Sequence, residues 1–280
     1  MASLKDIKGR IDSVSVTQKV TDAMRMVATV KFRRAHRAAE AILPYLNSLQ
    51  SIFTRFIEDS TTQAYLTNGR PEEKVAIVAV ASDSGLCGSY NNNVIKILEE
   101  TVAAHGCVEV YPIGKKVKDA SRKMGLNIAD TDPSLSRNPT YEAASALAAH
   151  LEKRYLAKEI DGVVLLYQHL RSTASTKVVC ENFLPIQLDT DSKNSTAYDF
   201  IVEPDAGSVV GKLLPKLLST KIYAVLCDAV ASEHASRMIA MQTAGDNADK
   251  ILGELRLQYN RLRQQTITNQ LLDIIGGTMR

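Results

Sequence analysis

Apolar residues recur at helical spacing at both ends of the chain, and strand-like runs lie only between them. Leu4, Ile7, Ile11 and Val14 alternate steps of three and four, the a/d seam of a coiled coil. The stripe is then expected to change face, to Val16, Val20, Met24 and Val27. Near the other end Ala244, Ala248, Ile251, Leu255, Tyr259 and Leu262 predict a second seam, continued by Ile267, Leu271 and Ile274. Alanines at 229, 231, 235, 240, 244 and 248 allow close helix approach. Residues 1–43 and 216–280 hold no proline, and the latter stretch would make a helix of about 95 Å. Antiparallel pairing of the two terminal helices is the simplest arrangement, because one globular middle can hold both. Such a chain is built like a shaft carrying a knob, which points to mechanics before chemistry.

The middle alternates strand and helix. Lys74–Ser82 is a near-continuous apolar run suited to a strand buried on both faces. A turn at 83–89 follows it, then helix over Asn91–His105, a strand at Val108–Ile113 ended by Gly114, and a basic helix. Tyr141–Leu156 predicts another helix, Gly162–Tyr167 a buried strand, and Thr176–Leu188 the last strand or strands. This alternation predicts an α/β fold with a parallel or mostly parallel sheet. Asp189–Tyr198 is expected to be a polar linker. The division that follows is a helix over 1–58, an α/β domain over 74–198 and a helix over 207–280.

Charge and cysteine content narrow the chemistry. A net charge of +3 gives no general polyanion signature, although Lys31, Arg33, Arg34 and Arg37 concentrate positive charge on the first helix. Of Phe, Tyr and Trp only Phe32 interleaves with them, too little for base stacking, so a protein partner is favoured over nucleic acid. Cys87, Cys107, Cys180 and Cys227 form no C-x-x-C pair and are expected as buried free thiols. No run is apolar and long enough to span a membrane, and no signal-peptide core opens the chain, so an intracellular or organellar location is expected.

The turn Ser82–Asn91 resembles a phosphate cradle but matches neither glycine-loop pattern, so the expected use of Gly85 and Gly88 is conformational. Ser232, Glu233 and His234 are neighbours on a helix and point about 100° apart, which excludes a triad. His36, His105, His150 and His169 show no metal-ligand spacing. On the residues alone, a nucleotide-dependent enzyme with helical appendages and a coiled-coil scaffold remain as alternatives.

Four motifs in order carry a resemblance: M-A-S-L-K-D-I-K at the start with T-Q-K-V-T-D-A-M-R-M-V-A-T-V-K-F-R-R-A at Thr17–Ala35; S-D-x-G-L-C-G in the central turn; S-E-H-A-S-R-M-I-A-M at Ser232–Met241; and Y-N-R-x-R-Q-Q-T-I-T-N at Tyr259–Asn269, closed by D-I-I-G-G. The chain resembles the gamma subunits of F-type ATP synthases over nearly its whole length. That resemblance implies an antiparallel two-helix coiled coil with a central Rossmann-like, mostly parallel α/β domain. It implies a rotor without an active site or cofactor, surrounded by three alpha and three beta subunits, beside an epsilon- or delta-type stalk subunit and on a membrane c ring. It further implies a peripheral position on a bacterial inner membrane (cytoplasmic face) or a mitochondrial inner membrane (matrix face). By motif position Arg263, Gln264, Met24 and Arg237 are implied beta-subunit contacts. Leu272, Ile274 and Ile275 are implied at the bearing tip, and Glu203 at the foot on the c ring. Ser84 stands where the family usually has Arg or Lys, and Gly245 where Ser or Thr is usual.

Overall fold

The computed structural model describes residues 3–54, 65, 74–105, 107–173, 175–186, 203 and 205–278. The predicted linker at 189–198 lies outside them. The chain divides into two compact units, Met1–Thr29 with Arg237–Arg280, and Val30–Ser236. Two helices take part in both: α1 (Leu4–Phe53) and α5 (Ala206–Thr278).

The unit formed by Val30–Ser236 holds a five-stranded sheet: β1 (Lys74–Val80), β2 (Cys107–Ile113), β3 (Asn127–Ile128), β4 (Gly162–Ser172) and β5 (Ser175–Leu184). Its order is β3-β2-β1-β4-β5, parallel except for β5, which returns antiparallel to β4. Helices α2 (Tyr90–Ala104), α3 (Lys115–Lys123) and α4 (Tyr141–Leu156) connect the strands. Every residue of Val75–Val80 is at most 3% exposed, because alternate side chains enter two different cores. Val75, Ile77 and Ala79 meet Val94 and Leu98 of α2 and Val117 of α3. Ala76, Val78 and Val80 join the cluster of Leu46 and Phe53 (α1), Leu151 (α4) and Leu214 and Ile222 (α5). Burial on this second face carries α1 through Pro44 and α5 through Pro215, despite the backbone hydrogen bond each proline removes.

β4 extends past its predicted end at Tyr167, because Gln168–Ser172 pair with β5 through backbone groups that a polar sequence supplies as well as an apolar one. β3 and a 3₁₀ turn at Pro133–Ser136 have no apolar run to announce them. Cys87 and Cys227 are buried, but Cys107 and Cys180 are exposed, correcting the expectation for all four. Cys107 opens β2 and Cys180 lies on the edge strand, where solvent reaches alternate side chains.

In the other unit the two helices run antiparallel. Gln18 Nε2 donates to Asp249 Oδ1 at 2.5 Å, and a Cβ on Gly245 would lie 3.7 Å from Asp22 Oδ1 and 3.9 Å from Thr21 Oγ1. The numbering rises on one helix as it falls on the other. The α1 seam does not change face. Leu4, Ile7, Ile11, Val14, Gln18, Thr21, Arg25 and Ala28 are all buried or half-buried at unbroken three-four spacing. Val16, Val20 and Val27 are instead 60%, 52% and 56% exposed. On α5 the covered positions include Met241, the predicted Ala244, Gly245, Ala248, Leu252, Leu255, Tyr259 and Leu262. Leu252 (4% exposed) takes the place predicted for Ile251 (46%).

Candidate functional site

The turn at the β1–α2 junction engages Ser82, Ser84, Cys87 and Asn91 in hydrogen bonds within the chain. Asn91 Oδ1 accepts from Ser82 N at 3.0 Å, Ser82 Oγ lies 2.9 Å from the same oxygen, and Asn91 Nδ2 approaches Cys87 Sγ at 3.2 Å. Gly88 takes a positive φ of 61°, as expected, but Gly85 does not. Leu86 carries the other left-handed conformation, at φ 63°, and is 62% exposed. Below the turn, Tyr90 donates its hydroxyl to Ala229 O at 3.1 Å, and Gln168 Nε2 donates to Tyr90 O at 2.7 Å. Both residues are buried at the C-terminal ends of β1 and β4, where a doubly wound sheet usually opens its ligand crevice.

Asp83 closes the same corner. Its carboxylate accepts from Lys115 N at 3.0 Å, Ser136 Oγ at 3.0 Å and Arg137 Nε at 2.6 Å. The first of these places a carboxylate at the N-terminus of α3, the position that would otherwise attract an anion. Burial pushes the Asp83 carboxyl up, but the hydrogen bonds from Arg137, Lys115 and Ser136 and the charge of Arg137 outweigh it, and its pKa falls below the ordinary value. Sequence reasoning missed this clasp, since its members are far apart in the chain.

A cleft of about 280 Å³ lies between α1, β4, β5 and α5. It is edged by His169 Nδ1 with Asp228 Oδ2 at 2.6 Å, Lys221 with Glu181 at 3.7 Å and His36 with Glu40 at 3.4 Å. The first two pairs tie α5 to the sheet, and the third lies within α1. Among the described residues no group of His, Cys, Asp and Glu is arranged to hold a metal ion.

The positions implied as partner contacts fall in different places. Arg263 and Gln264 are exposed neighbours on α5, off the seam formed by Tyr259 and Leu262. Met24 is half-buried, and Arg237 is only 9% exposed. Glu203 is exposed at a bend before α5. Leu272, Ile274 and Ile275 are 61%, 64% and 56% exposed. Register explains that exposure. Continuing the one-for-one antiparallel pairing from Gln18 and Asp249 brings Leu4, the first residue of α1, near Leu262. Beyond it α5 has no α1 residues opposite.

The family sequence model described as ATP synthase matches residues 3–279. A protein of Phocaeicola vulgatus called ATP synthase gamma chain is 44% identical over 288 residues, covering 100% of both chains. A Bacteroides fragilis protein of the same name is 42% identical over 289 residues, again covering 100% of each. The chain belongs to the ATP synthase gamma-chain family. Solved structures agree in fold. A chain of the Euglena gracilis mitochondrial ATP synthase (OSCP/F1/c-ring) matches with a TM-score of 0.67 at 18% identity, covering 99% of this chain and 93% of that one. A chain of the Tetrahymena thermophila mitochondrial ATP synthase (central stalk/c-ring) matches with a TM-score of 0.61 at 24% identity, covering 80% and 99%. Among the described residues no helix is long and apolar enough to cross a membrane.

Proposed function

We propose that the chain is the central rotor shaft of an F-type ATP synthase. It couples proton-driven rotation of a membrane c ring to conformational changes of catalytic beta subunits during ATP synthesis and hydrolysis. Beyond family membership, one observation carries this reading: α5 continues past its α1 partner with Leu271, Leu272, Ile274 and Ile275 all more than half exposed. Apolar side chains in that number on a helix end favour a surrounding apolar surface. In this reading the collar of three alpha and three beta subunits supplies it, an epsilon- or delta-type subunit and the c ring take the foot at Glu203, and the chain is a non-catalytic, cofactor-free peripheral component.

The mechanism is a set of unequal contacts. A helix pair with one short and one long member has no threefold symmetry, so each of three beta subunits meets a different face. Each orientation favours one conformation per site by its difference in contact free energy, and about 1.4 kcal/mol shifts such an equilibrium tenfold. Arg263, with its planar multi-donor fork beside Gln264, suits a carboxylate-bearing loop on one beta subunit. In the reconstituted complex, Arg263→Ala is expected to lower ATP turnover about tenfold, or to uncouple it from pumping, with nucleotide binding retained. Unchanged turnover and coupling would refute the assignment.

A further inference from the structure

The covered seam of the Met1–Thr29 and Arg237–Arg280 unit changes character along its length. Leu4, Ile7, Ile11 and Val14 of α1 lie in the part paired with Leu252, Leu255, Tyr259 and Leu262 of α5. Toward the other end α1 offers three polar seam residues in succession, Gln18, Thr21 and Arg25, before returning to Ala28 at 2% exposed. At the same level α5 has its smallest covered residues, Gly245 and Ala248. Gln18 and Thr21 therefore lie against a helix face with little bulk, and Arg25 comes level with Met241. Gln18 reaches across to Asp249 at 2.5 Å, and Arg25 turns back to Asp22 at 3.7 Å with its Nε buried.

We propose that Gln18 and Arg25 are positioning residues that fix the axial register of the two helices. The apolar part of the seam is degenerate: branched aliphatic residues against leucines pack acceptably after a slip of one heptad, about 10.5 Å. The polar part is not. Moving α5 by one heptad toward its N-terminus sets Thr21 opposite Leu252 and Gln18 near Leu255, so amide and hydroxyl groups lose solvent and partners against leucine. A slip of one heptad the other way brings Gly245 and Ala248 opposite Val14 and Ile11, with gaps where the leucines had been. Only the observed alignment sets both Gln18 and Thr21 against the small residues of α5. A single polar seam position is known to specify coiled-coil register at a cost in stability, and here two serve. A helix pair that transmits torque requires such a fixed alignment, but the inference stands on packing alone.

The test uses the full chain with Cys107 and Cys180 replaced by Ser and two engineered cysteine pairs. Thr21→Cys with Gly245→Cys reports the observed register, and Thr21→Cys with Leu252→Cys reports the slipped one. With Gln18 and Arg25 present, oxidation is expected to close the first pair and leave the second at background. Gln18→Leu with Arg25→Leu makes the α1 seam apolar throughout. It is expected to raise the slipped-pair yield about fivefold or more while helicity and melting temperature are kept or increased. The conservative variant Gln18→Asn with Arg25→Lys is expected to return that yield to background. A slipped-pair yield that stays at background in the leucine variant overturns the proposal. Loss of helicity in the leucine variant overturns it as well, and so does slippage in the conservative one.

Discussion

At the scale of single residues, two glycines with opposite surroundings make a sharp comparison. Gly114 sits at φ 104°, and a Cβ there would lie 2.1 Å from Ala81 O, a backbone atom that cannot swing aside. Gly114→Ala is expected to cost about 3 kcal/mol or more, or to prevent folding, read from denaturant unfolding. Gly245 lies within α5, and its added Cβ would meet Thr21 and Asp22 only at ordinary contact distances. Gly245→Ala is therefore expected to raise stability by about 1 kcal/mol, the difference in helix propensity. Asp83 supplies a pH-dependent case. Its folded pKa is depressed, so its contribution is present above the unfolded value and lost as pH falls through the folded one. Asp83→Asn is expected to destabilise by about 1–2 kcal/mol at pH 7. The gap between variant and native melting should close as the pH is brought well below about 3.9. A gap that persists unchanged in acid would mean the carboxylate's charge contributes nothing.

At the scale of elements, the chain was legible wherever burial follows a simple period. β1 could be read from its unbroken apolar run, and α4 spans Tyr141–Leu156 as its pattern implied. The seams of α1 and α5 were legible in kind but not in phase. On each helix the covered seam passes positions whose neighbours look at least as apolar in sequence. On α1 the true seam passes through Gln18, Thr21 and Arg25, so Val16 and Val20 looked the better continuation. On α5 the choice lay between Ile251 and Leu252, equal in hydrophobicity, and only the partner's position decides. Leu252→Ala is accordingly expected to cost about 2–4 kcal/mol, and Ile251→Ala less than about 0.5 kcal/mol. Hydrogen exchange along Leu4–Ala28 would register the first change and not the second. Comparable losses at both positions would contradict the seam assigned here. The Asp83 clasp and the plug of Tyr90 and Gln168 were not legible, because they depend on which loops the sheet order brings together.

At the scale of the whole molecule, two groups account for ten of the exposed large apolar side chains among the described residues. One comprises Val16, Val20, Met26, Val27 and Val30 of α1, and the other Ile267, Leu271, Leu272, Ile274 and Ile275 of α5. Both lie on helices whose covered seams are already complete, so neither group is needed to hold α1 against α5. Burial of each such side chain is worth roughly 1.5–3 kcal/mol, so their exposure is costly to a chain kept alone in water. The purified chain is expected to bind hydrophobic dye and to self-associate. Replacing Leu271, Leu272 and Ile275 with Gln is expected to reduce dye binding and raise solubility without lowering helicity, since none belongs to the seam. If the proposed function holds, the same triple variant in a reconstituted complex is expected to reduce rotation-coupled turnover several-fold, because the helix end would lose the apolar surface proposed to seat it. The two readouts separate the explanations. Improved solubility with unaffected turnover would mean the helix end is merely tolerated, and its role in seating the rotor would have to be abandoned.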